Sequence, residues 1–302
     1  MQKLKTRDFL SITDVSKNEL ENILDIAKKF KKAKNIPQAL KGKNIILIFQ
    51  KPSTRTRVSF EVAINKLGGN PISLSWNELQ LGRGETVEDT AKVLERYGDC
   101  VVARVFSHDD LVRMSKAAMV PVVNALSDLE HPCQALADLL TIDESIGFKK
   151  VEKIVYVGDG NNNVCHSLIL GCNLLKMPLT VCCPREYTPK KEIIKKVDSD
   201  LIRVVNDPIE AVKNSDVIYT DVWVSMGMEC EKDERIKNLS PFQINKSLVK
   251  HAKKSFVFLH CLPAHRGQEV TDDVIDSKNS IVFDQAENRM WTQMALLYFL
   301  FK

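Results

Sequence analysis

The chain has 302 residues, of which 44% are hydrophobic and 27% are charged, as in ordinary soluble enzymes. Its length exceeds that of a typical single domain, so two domains are expected. The 43 basic and 39 acidic residues give a net charge of +4, which is too small to predict nucleic-acid binding, and the basic runs 28–34 and 191–196 are typical of solvated helix faces.

In chain order, the N-terminal segment comes first, and it becomes polar too early for a signal peptide. Short apolar runs then alternate with segments of helical periodicity. The predicted strands of the first half are 44–49, 71–75, 100–106 and 120–125. The predicted helices between them are 55–67, 86–97 and 108–118.

A long helical segment, residues 130–146, separates this half from a second one of the same pattern. The predicted strands of the second half are 153–158, 179–183, 203–205, 216–220 and 255–260. Near-continuous apolar strands that alternate with helices predict parallel sheets covered by helices on both faces. The sequence therefore predicts an α/β protein with two open parallel-sheet domains, linked by helices.

The predicted boundary lies near 145–152, with the first domain at 1–146 and the second at 147–286. The last helix, 287–302, follows the second sheet and is expected to pack back on the first domain. Its apolar run is far shorter than the roughly 20 residues of a membrane span. The eight cysteines include no CxxC pair, which favours free thiols in a reducing compartment. We therefore expect a soluble cytoplasmic protein with no membrane partner.

The first polar cluster, KPSTRTR (51–57), follows the first predicted strand and opens a helix. Ligands of open α/β sheets bind at this end of a strand. Ser53 and Thr54 offer hydroxyl donors, Arg55 offers a forked cation, and the helix N-terminus offers backbone N–H groups. A helix cap with exposed arginines is the alternative, but this density of donors favours an anion site. Arg57 lies one step further along the helix. If its side chain points away from the anion, it serves structure or a subunit border instead.

The second cluster, HPCQ (131–134), stands at the start of the long helix. His131 and Gln134 are one helical turn apart, so they can face a single point. A metal site built on His131 and Cys133 is disfavoured because no further ligand falls at a useful spacing.

The third cluster, GDGNNN (158–163), resembles the beginning of a dinucleotide-binding loop. Asn163 stands where that pattern requires its third glycine, so a nicotinamide cofactor is poorly supported. Asparagines in this loop suit hydrogen bonds to a carboxylate or an amide.

The later clusters are DVWVSMGME (221–229), HCLPAHRG (260–267) and ENRMW (287–291). Asp221 can accept a hydrogen bond from an ammonium group, and the S-M-G residues are typical of a closing loop or of an ordinary connection. Cys261 could form a nucleophilic Cys–His pair or only position a polar group.

Taken in order, STRTR, HPCQ, the GDG-N-N loop, DVWVSMG, HCLP and ENRMW resemble the aspartate/ornithine carbamoyltransferase family along the whole chain. STRTR and HCLP are the most specific of these motifs, and the S-M-G loop points to ornithine over aspartate. The resemblance implies transfer of the carbamoyl group of carbamoyl phosphate to L-ornithine, as in arginine biosynthesis. It also implies no metal or organic cofactor and a homotrimer, or a multiple of trimers, with active sites at subunit borders.

The resemblance implies a role for each matching residue. Carbamoyl phosphate would be bound by Ser53, Thr54, Arg55, Thr56, Gln80 of a neighbouring subunit, Arg104, His131, Pro132, Cys133, Gln134, Cys261, Leu262 and Arg289. Ornithine would be bound by Asn163, Asp221, Ser225 and Met226. The catalytic residues would be Arg55, Arg104, His131, Asp221 and Cys261.

Some alternatives stay open at this point. Asn70 and Asn161 depart from the residues that many members carry, and Asn162 remains an alternative to Asn163. A dehydrogenase and a non-catalytic binding protein are disfavoured by the missing glycine and by the presence of every cluster. A sister enzyme that acts on putrescine or on an acylated ornithine is the closest competitor, although either acceptor lacks one group of free ornithine.

Overall fold

The computed structural model describes residues 4–224 and 227–302, and at positions 77, 82, 83 and 229 it describes the backbone only. The chain divides into two compact units. Unit 1 comprises Met1–Ala137 and Glu287–Lys302, and unit 2 comprises Asp138–Ala286. Within the described residues, no helix has both the length and the apolar character that crossing a membrane requires.

Unit 1 is built on a parallel sheet. Its strands are β1 (Asn44–Phe49), β2 (Asn70–Ser75), β3 (Cys100–Arg104) and β4 (Val122–Leu126), in the spatial order β2-β1-β3-β4. The central β1 is buried along almost its whole length, whereas the edge strand β2 is half-exposed. At the opposite edge, the N–H of Phe9 donates to the carbonyl of Val122 at 2.9 Å, so the N-terminal segment covers free polar groups of β4.

Unit 2 carries a second parallel sheet. Its strands are β5 (Ile154–Val157), β6 (Leu179–Cys182), β7 (Ile202–Val205), β8 (Val217–Thr220) and β9 (Val257–His260), in the order β7-β6-β5-β8-β9. Strand β5 at the centre is buried at every position, and β7 at the edge is largely open. This difference is the one expected between central and edge strands of an open sheet.

Helices connect the strands in each unit. In unit 1 they are α1 (Lys17–Lys32), α2 (Thr54–Lys66), α3 (Val87–Leu94) and α4 (His108–Ala117). Helix α5 (Pro132–Ser145) begins in unit 1 and ends in unit 2. Unit 2 contains α6 (Asn163–Leu175), α7 (Lys191–Ile194), α8 (Pro208–Val212), α9 (Lys232–Leu239), α10 (Lys246–Val249) and α11 (Asp272–Ile275). Helix α12 (Val282–Phe301) begins in unit 2 and ends in unit 1.

Short 3-10 helices complete the connections. They are Ile12–Asp14, Trp76–Glu78, Gln80–Arg83, Phe148–Lys150, Arg185–Tyr187, Glu229–Glu231 and Ser240–Phe242. The helices pack on each sheet through buried apolar side chains. Each fully buried aliphatic side chain contributes about 1.5–3 kcal/mol to the stability of the fold.

Both sheets reverse their strand order at one place. In unit 1 the chain moves outward from β1 to β2 and then returns to place β3 on the other side of β1. In unit 2 it moves from β5 through β6 to β7 and returns to place β8 beside β5. The loops that leave the two strands at such a switch point diverge, and the crevice they leave is where ligands of open α/β sheets bind.

The predicted fold class is confirmed, because both sheets are parallel and alternate with helices. The helix predicted at 86–97 ends earlier, at Leu94. The chain turns there because Gly98 passes directly over β1: a Cβ atom at Gly98 would lie 2.6 Å from Cδ1 of Ile46. The domain limits at residues 146 and 286 stay predictions.

Candidate active site

The loop between β1 and α2 carries the first predicted cluster. Ser53 is the N-cap of α2, and its hydroxyl accepts a hydrogen bond from the N–H of Thr56 at 3.4 Å. Arg55 is half-buried in the first helical turn. Arg57, by contrast, is exposed and pairs with Glu61 one turn along, with Nε and Oε1 2.9 Å apart. The two arginines of STRTR therefore have different surroundings.

Helix α12 brings a further cation to this loop. Nη2 of Arg289 donates to Oγ1 of Thr56 at 2.8 Å, and both side chains are buried. A buried cation beside the N-terminus of α2 adds to the positive end of the helix dipole. The arrangement suits an anion that bears several acceptor oxygens.

Arg104 and His131 approach the same part of unit 1 from the ends of β3 and β4. The N–H of Gln50 donates to the carbonyl of Arg104 at 2.9 Å, which ties the end of β3 to the loop after β1. His131 is buried, and burial lowers the pKa of its imidazole well below the usual range, with further lowering from Arg289 and Arg104. His131 is therefore neutral at pH 7. We call Ser53–Thr56, Arg104, His131 and Arg289 the arginine cluster.

The residues after His131 form the first turn of α5. Pro132 occupies the first helical position, where the missing N–H costs nothing. The thiol of Cys133 is fully buried and donates to the carbonyl of Asn124 at 3.4 Å, and burial raises its pKa to about 12. Gln134 is also buried. The side chain of Cys133 thus packs on β4, and its predicted contact with carbamoyl phosphate stays a prediction.

Gln80 is distant in sequence from these residues and, unlike them, is exposed to solvent. It begins the 3-10 helix Gln80–Arg83 and is exposed. An exposed side chain at this position is compatible with a contact to another subunit. The predicted role of Gln80 in a neighbouring site stays a prediction.

In unit 2, the loop after β5 ends in an asparagine cap. Oδ1 of Asn162 accepts from the N–H groups of Val164 at 2.7 Å and Cys165 at 3.3 Å, so Asn162 is the N-cap of α6. Its Nδ2 donates to Oδ2 of Asp221 at 3.0 Å. Both polar atoms of the Asn162 side-chain amide thus form hydrogen bonds within the protein. The half-exposed Asn163 follows as the first residue of α6.

Asp221 follows β8 and joins Cys261 to Asn162. Its Oδ1 accepts from the thiol of Cys261 at 2.9 Å, while Oδ2 accepts from Asn162. Asp221 is buried, and Cys261 is partly exposed. We call Asn162, Asn163, Asp221 and Cys261 the aspartate cluster. Its carboxylate suits a cationic ligand group, because charge-assisted hydrogen bonds are stronger than neutral ones.

The HCLP segment is shaped by His260 and Leu262. Nδ1 of His260 accepts from the N–H of Leu262 at 2.9 Å, so its proton lies on Nε2, which bonds to Oε1 of Glu269 at 3.2 Å. Leu262 has a φ of 56°, a left-handed conformation that is unfavourable for a branched side chain. Backbone strain of this kind concentrates at functional sites and costs on the order of 1–3 kcal/mol.

Asp221, His260 and Cys261 lie close enough together to be considered as ligands of one metal ion. Ligand atoms of Asp221, His260 and Cys261 lie within 4.8 Å of one another. However, each imidazole nitrogen of His260 already has a hydrogen-bond partner. The donor set therefore does not fit a metal ion without loss of those bonds.

Two predicted site residues, Ser225 and Met226, lie outside the described residues. Arg266, from the same sequence cluster as Cys261, forms ion pairs with Asp272 and Asp276 at 2.7 and 2.6 Å. It takes no part in either cluster of predicted site residues.

Two buried charged residues near the aspartate cluster, Asp159 and Arg235, were not predicted as site residues. Asp159 is fully buried and forms an ion pair with the buried Arg235. Burial raises the pKa of Asp159 to about 6, although Arg235 opposes that shift. Asp159 lies within the GDGNNN motif (158–163), so the sequence did mark its loop as part of a site. Arg235 gave no such signal, because the surrounding KDERIK has the composition of a solvated helix face.

Two family descriptions match the chain. Residues 7–144 match "Aspartate/ornithine carbamoyltransferase, carbamoyl-P binding domain", and residues 150–300 match "Aspartate/ornithine carbamoyltransferase, Asp/Orn binding domain". Together the matches span nearly the whole chain.

Individual relatives resemble the chain over its full length. An ornithine carbamoyltransferase of Pyrococcus horikoshii is 53% identical, and the match covers 98% of this chain and 96% of that protein. The structure of ornithine carbamoyltransferase from Pyrococcus furiosus has 52% identity and a TM-score of 0.93, and the match covers 98% of this chain and 97% of that one. The structure of the anabolic enzyme from Campylobacter jejuni has 39% identity and a TM-score of 0.92, with 98% and 99% covered. The chain therefore belongs to the aspartate/ornithine carbamoyltransferase family.

Proposed function

We propose that this protein transfers the carbamoyl group of carbamoyl phosphate to the side-chain amine of L-ornithine, which yields L-citrulline and phosphate. The observation that carries the proposal is the charge of the two clusters. The arginine cluster stands at the switch point of one sheet, and the aspartate cluster stands at the switch point of the other. One suits a phosphate, and the other suits an amino acid with two ammonium groups.

Carbamoyl phosphate is assigned to the first domain, residues 1–146. Ser53, Thr54, Arg55 and Thr56 would bind its phosphate through hydroxyl groups, the N-terminus of α2 and a forked guanidinium. Arg104 would stabilise the charge that grows on the departing phosphate. Arg289 would hold Thr56 in place through the bond that it donates to that hydroxyl.

The carbamoyl group is assigned to His131 and Gln134, together with Pro132, Cys133 and the carbonyl of Leu262. A neutral His131 would donate to the carbonyl oxygen, where negative charge develops as the tetrahedral centre forms. Removal of one such donor commonly costs about 3–4 kcal/mol of transition-state stabilisation.

Ornithine is assigned to the second domain, residues 147–286. Asp221 would accept from an ammonium group, and Asn163 would bind the carboxylate, with Ser225 and Met226 as further predicted contacts. The amino-acid specificity follows from these two groups: putrescine has no carboxylate, and an acylated ornithine has no α-ammonium. The relatives named above bear the name of ornithine carbamoyltransferases, which supports the free amino acid as the acceptor.

The transfer itself needs a neutral amine, whose pKa of about 10 leaves it mostly protonated at pH 7. After the ammonium group loses one proton to water, its nitrogen lone pair attacks the carbonyl carbon and a C–N bond forms. The C–O bond to phosphate then breaks, and the phosphate leaves with the electron pair. The second proton passes from nitrogen to phosphate or water. Cys261, hydrogen-bonded to Asp221, would orient the amine and form no covalent intermediate.

The setting of the reaction is also part of the proposal. We place the enzyme in the cytoplasm and in arginine biosynthesis, because its eight cysteines, all of them described, are free thiols and a similar solved structure is that of an anabolic enzyme. We further propose a homotrimer or a multiple of trimers. Among the described residues, exposed apolar side chains such as Tyr97 and Met119 of unit 1 are suited to subunit contacts.

One assay tests the proposed function. Purified protein and carbamoyl phosphate are supplied in parallel with L-ornithine, putrescine, N-acetylornithine or L-aspartate, and each carbamoylated product is quantified. We expect L-citrulline in a one-to-one ratio with released phosphate, and rates at least about a hundredfold lower with the other acceptors. No turnover with ornithine, or equal turnover with putrescine, would contradict the proposal.

A further inference from the structure

Arg235 of α9 is buried although arginine is rarely buried without partners. Each part of its guanidinium has one. Nε donates to the carbonyl of Trp223 at 2.8 Å, Nη2 forms an ion pair with Asp159, and Nη1 bonds to Oε2 of Glu231 at 3.1 Å. The side chain is thus fixed in one orientation by three bonds.

Two of these partners, Asp159 and Trp223, lie in the two loops that diverge at the switch point of unit 2. Asp159 precedes Asn162 by three residues in the loop after β5, and Trp223 follows Asp221 by two residues in the segment after β8. The bond between Asn162 and Asp221 is one connection between these loops. Arg235 provides a second one, through a carboxylate in one loop and a backbone carbonyl in the other.

The loop after β5 is also confined from its other side. The guanidinium of Arg235 lies 4.8 Å from the centre of the Tyr187 ring. Gly160 passes so close to this turn that a Cβ atom would lie 2.7 Å from the carbonyl oxygen of Tyr187. Arg235, Tyr187 and Gly160 therefore leave the loop little freedom near Asn162 and Asn163.

From this geometry we infer that Arg235 is a positioning residue for the amino-acid substrate. It fixes the distance between the loop of Asn163 and the segment of Asp221, and so sets how both meet the same ornithine molecule. The inference rests on the proposed function and adds to it a residue that touches no substrate. A planar fork is required, because a lysine ammonium cannot reach the carboxylate and the carbonyl with the same geometry.

A purely structural role for the buried pair predicts a different outcome. Loss of a structural ion pair lowers the thermal midpoint and reduces the fraction of active enzyme. The apparent kcat then falls, and neither Michaelis constant changes selectively. Loss of a positioning residue acts on one substrate, because only the ligand groups of the aspartate cluster move. The two roles are separated by the Michaelis constants for ornithine and carbamoyl phosphate, measured on folded protein.

The experiment uses full-length Arg235→Lys and Asp159→Asn proteins, which keep the size and most of the polarity of the original side chains. We expect the KM for ornithine to rise about tenfold or more in each, while the KM for carbamoyl phosphate changes less than about twofold. The double variant should be no worse than the poorer single variant, because the two residues act as one unit.

Arg266→Lys is the matched control, since this exposed arginine of unit 2 also forms ion pairs with two aspartates. It should leave both Michaelis constants unchanged. An unchanged KM for ornithine in folded Arg235→Lys would overturn the inference, and so would equal rises for both substrates. If Arg235→Lys fails to fold, the two Michaelis constants of Asp159→Asn provide the test instead. Turnover of ornithine by the unsubstituted enzyme tests the proposed function separately.

Discussion

The two sheets place their polar clusters at equivalent positions and give them opposite charge. In unit 1 the switch point carries Arg55, Arg104 and Arg289, with a helix N-terminus directed at the same loop. In unit 2 it carries Asp221, whose carboxylate accepts from Asn162 and Cys261. The parallel fold determines where a ligand binds, and the residues after each strand determine its charge. Substitutions on either side test this division.

The largest effect is expected from Arg55→Ala, which removes a half-buried cation from the arginine cluster. We expect kcat/KM for carbamoyl phosphate to fall about a thousandfold, which corresponds to about 4 kcal/mol. Steady-state kinetics at saturating ornithine provide the measurement.

Arg57→Ala is the control for this substitution, because Arg57 is an arginine of the same helix that is exposed and pairs with Glu61. An exposed pair of this kind contributes about 0.3–0.5 kcal/mol. Ser59→Ala should be similarly mild. Equal damage from Arg55→Ala and Arg57→Ala would remove the basis for assigning the phosphate to Arg55.

The next largest effect is expected from Asp221→Asn in the aspartate cluster. Loss of a charge-assisted hydrogen bond to an ammonium group costs about 1.5–3 kcal/mol, so the KM for ornithine should rise about ten- to a hundredfold. The KM for carbamoyl phosphate should stay nearly constant.

Asp207→Asn provides the matched control in the same unit. Asp207 is the N-cap of α8 and accepts from the N–H groups of Ile209 and Glu210. Because asparagine is as good a cap as aspartate, this change removes one negative charge and retains the fold. A rise in the KM for ornithine in this variant would indicate a general charge effect and weaken the assignment of Asp221.

A smaller effect concerns the pH dependence of stability. The folded protein holds His131 neutral to a pH well below 6.5, whereas the unfolded chain binds a proton near pH 6.5. The unfolded state therefore binds more protons as the pH falls below 6.5, and the free energy of unfolding decreases by up to about 1.4 kcal/mol per pH unit.

Chemical denaturation at pH 7 and pH 5.5 measures this contribution. The loss of stability between these values should be smaller in His131→Gln than in the unsubstituted protein, because glutamine does not titrate. Equal losses in both proteins would show that His131 is not held neutral.

The smallest effect is expected from Cys261→Ser. Serine retains a donor to Asp221, so orientation of the amine is largely preserved and kcat should fall by about tenfold or less. Mass spectrometry of enzyme quenched during turnover should detect no carbamoylated Cys261. A carbamoyl adduct that forms and decays at the rate of turnover would establish covalent catalysis instead.

The sequence was sufficient for the elements that depend on local pattern. The strand predicted at 44–49 is β1, and the helix predicted at 55–67 is α2, because buried apolar runs and a serine cap are local signals. The strand order is set by which strands pair across long intervals of chain, and periodicity carries no information about that. The pairing of β5 with β8, and thus the switch point beside Asp221, therefore required the structure.

The same limit applies to side-chain roles. The sequence predicted Asn163 as the ornithine residue and left Asn162 as the alternative. The structure adds that Asn162 is the N-cap of α6, whereas the contact of Asn163 with ornithine stays a prediction. The Arg57–Glu61 pair likewise explains why the second arginine of STRTR is left out of the arginine cluster. Arg235 was not predicted, because burial of a charged residue depends on partners that are distant in sequence.

Equilibrium binding of carbamoyl phosphate to two variants tests the division of charge between the sheets most directly. Isothermal titration calorimetry would compare Arg55→Ala and Asp221→Asn with the unsubstituted enzyme in the absence of ornithine. We predict that Asp221→Asn binds carbamoyl phosphate with unchanged affinity and that Arg55→Ala binds it at least about a hundredfold more weakly. Equal loss of affinity in both variants would contradict the assignment of carbamoyl phosphate to the arginine cluster.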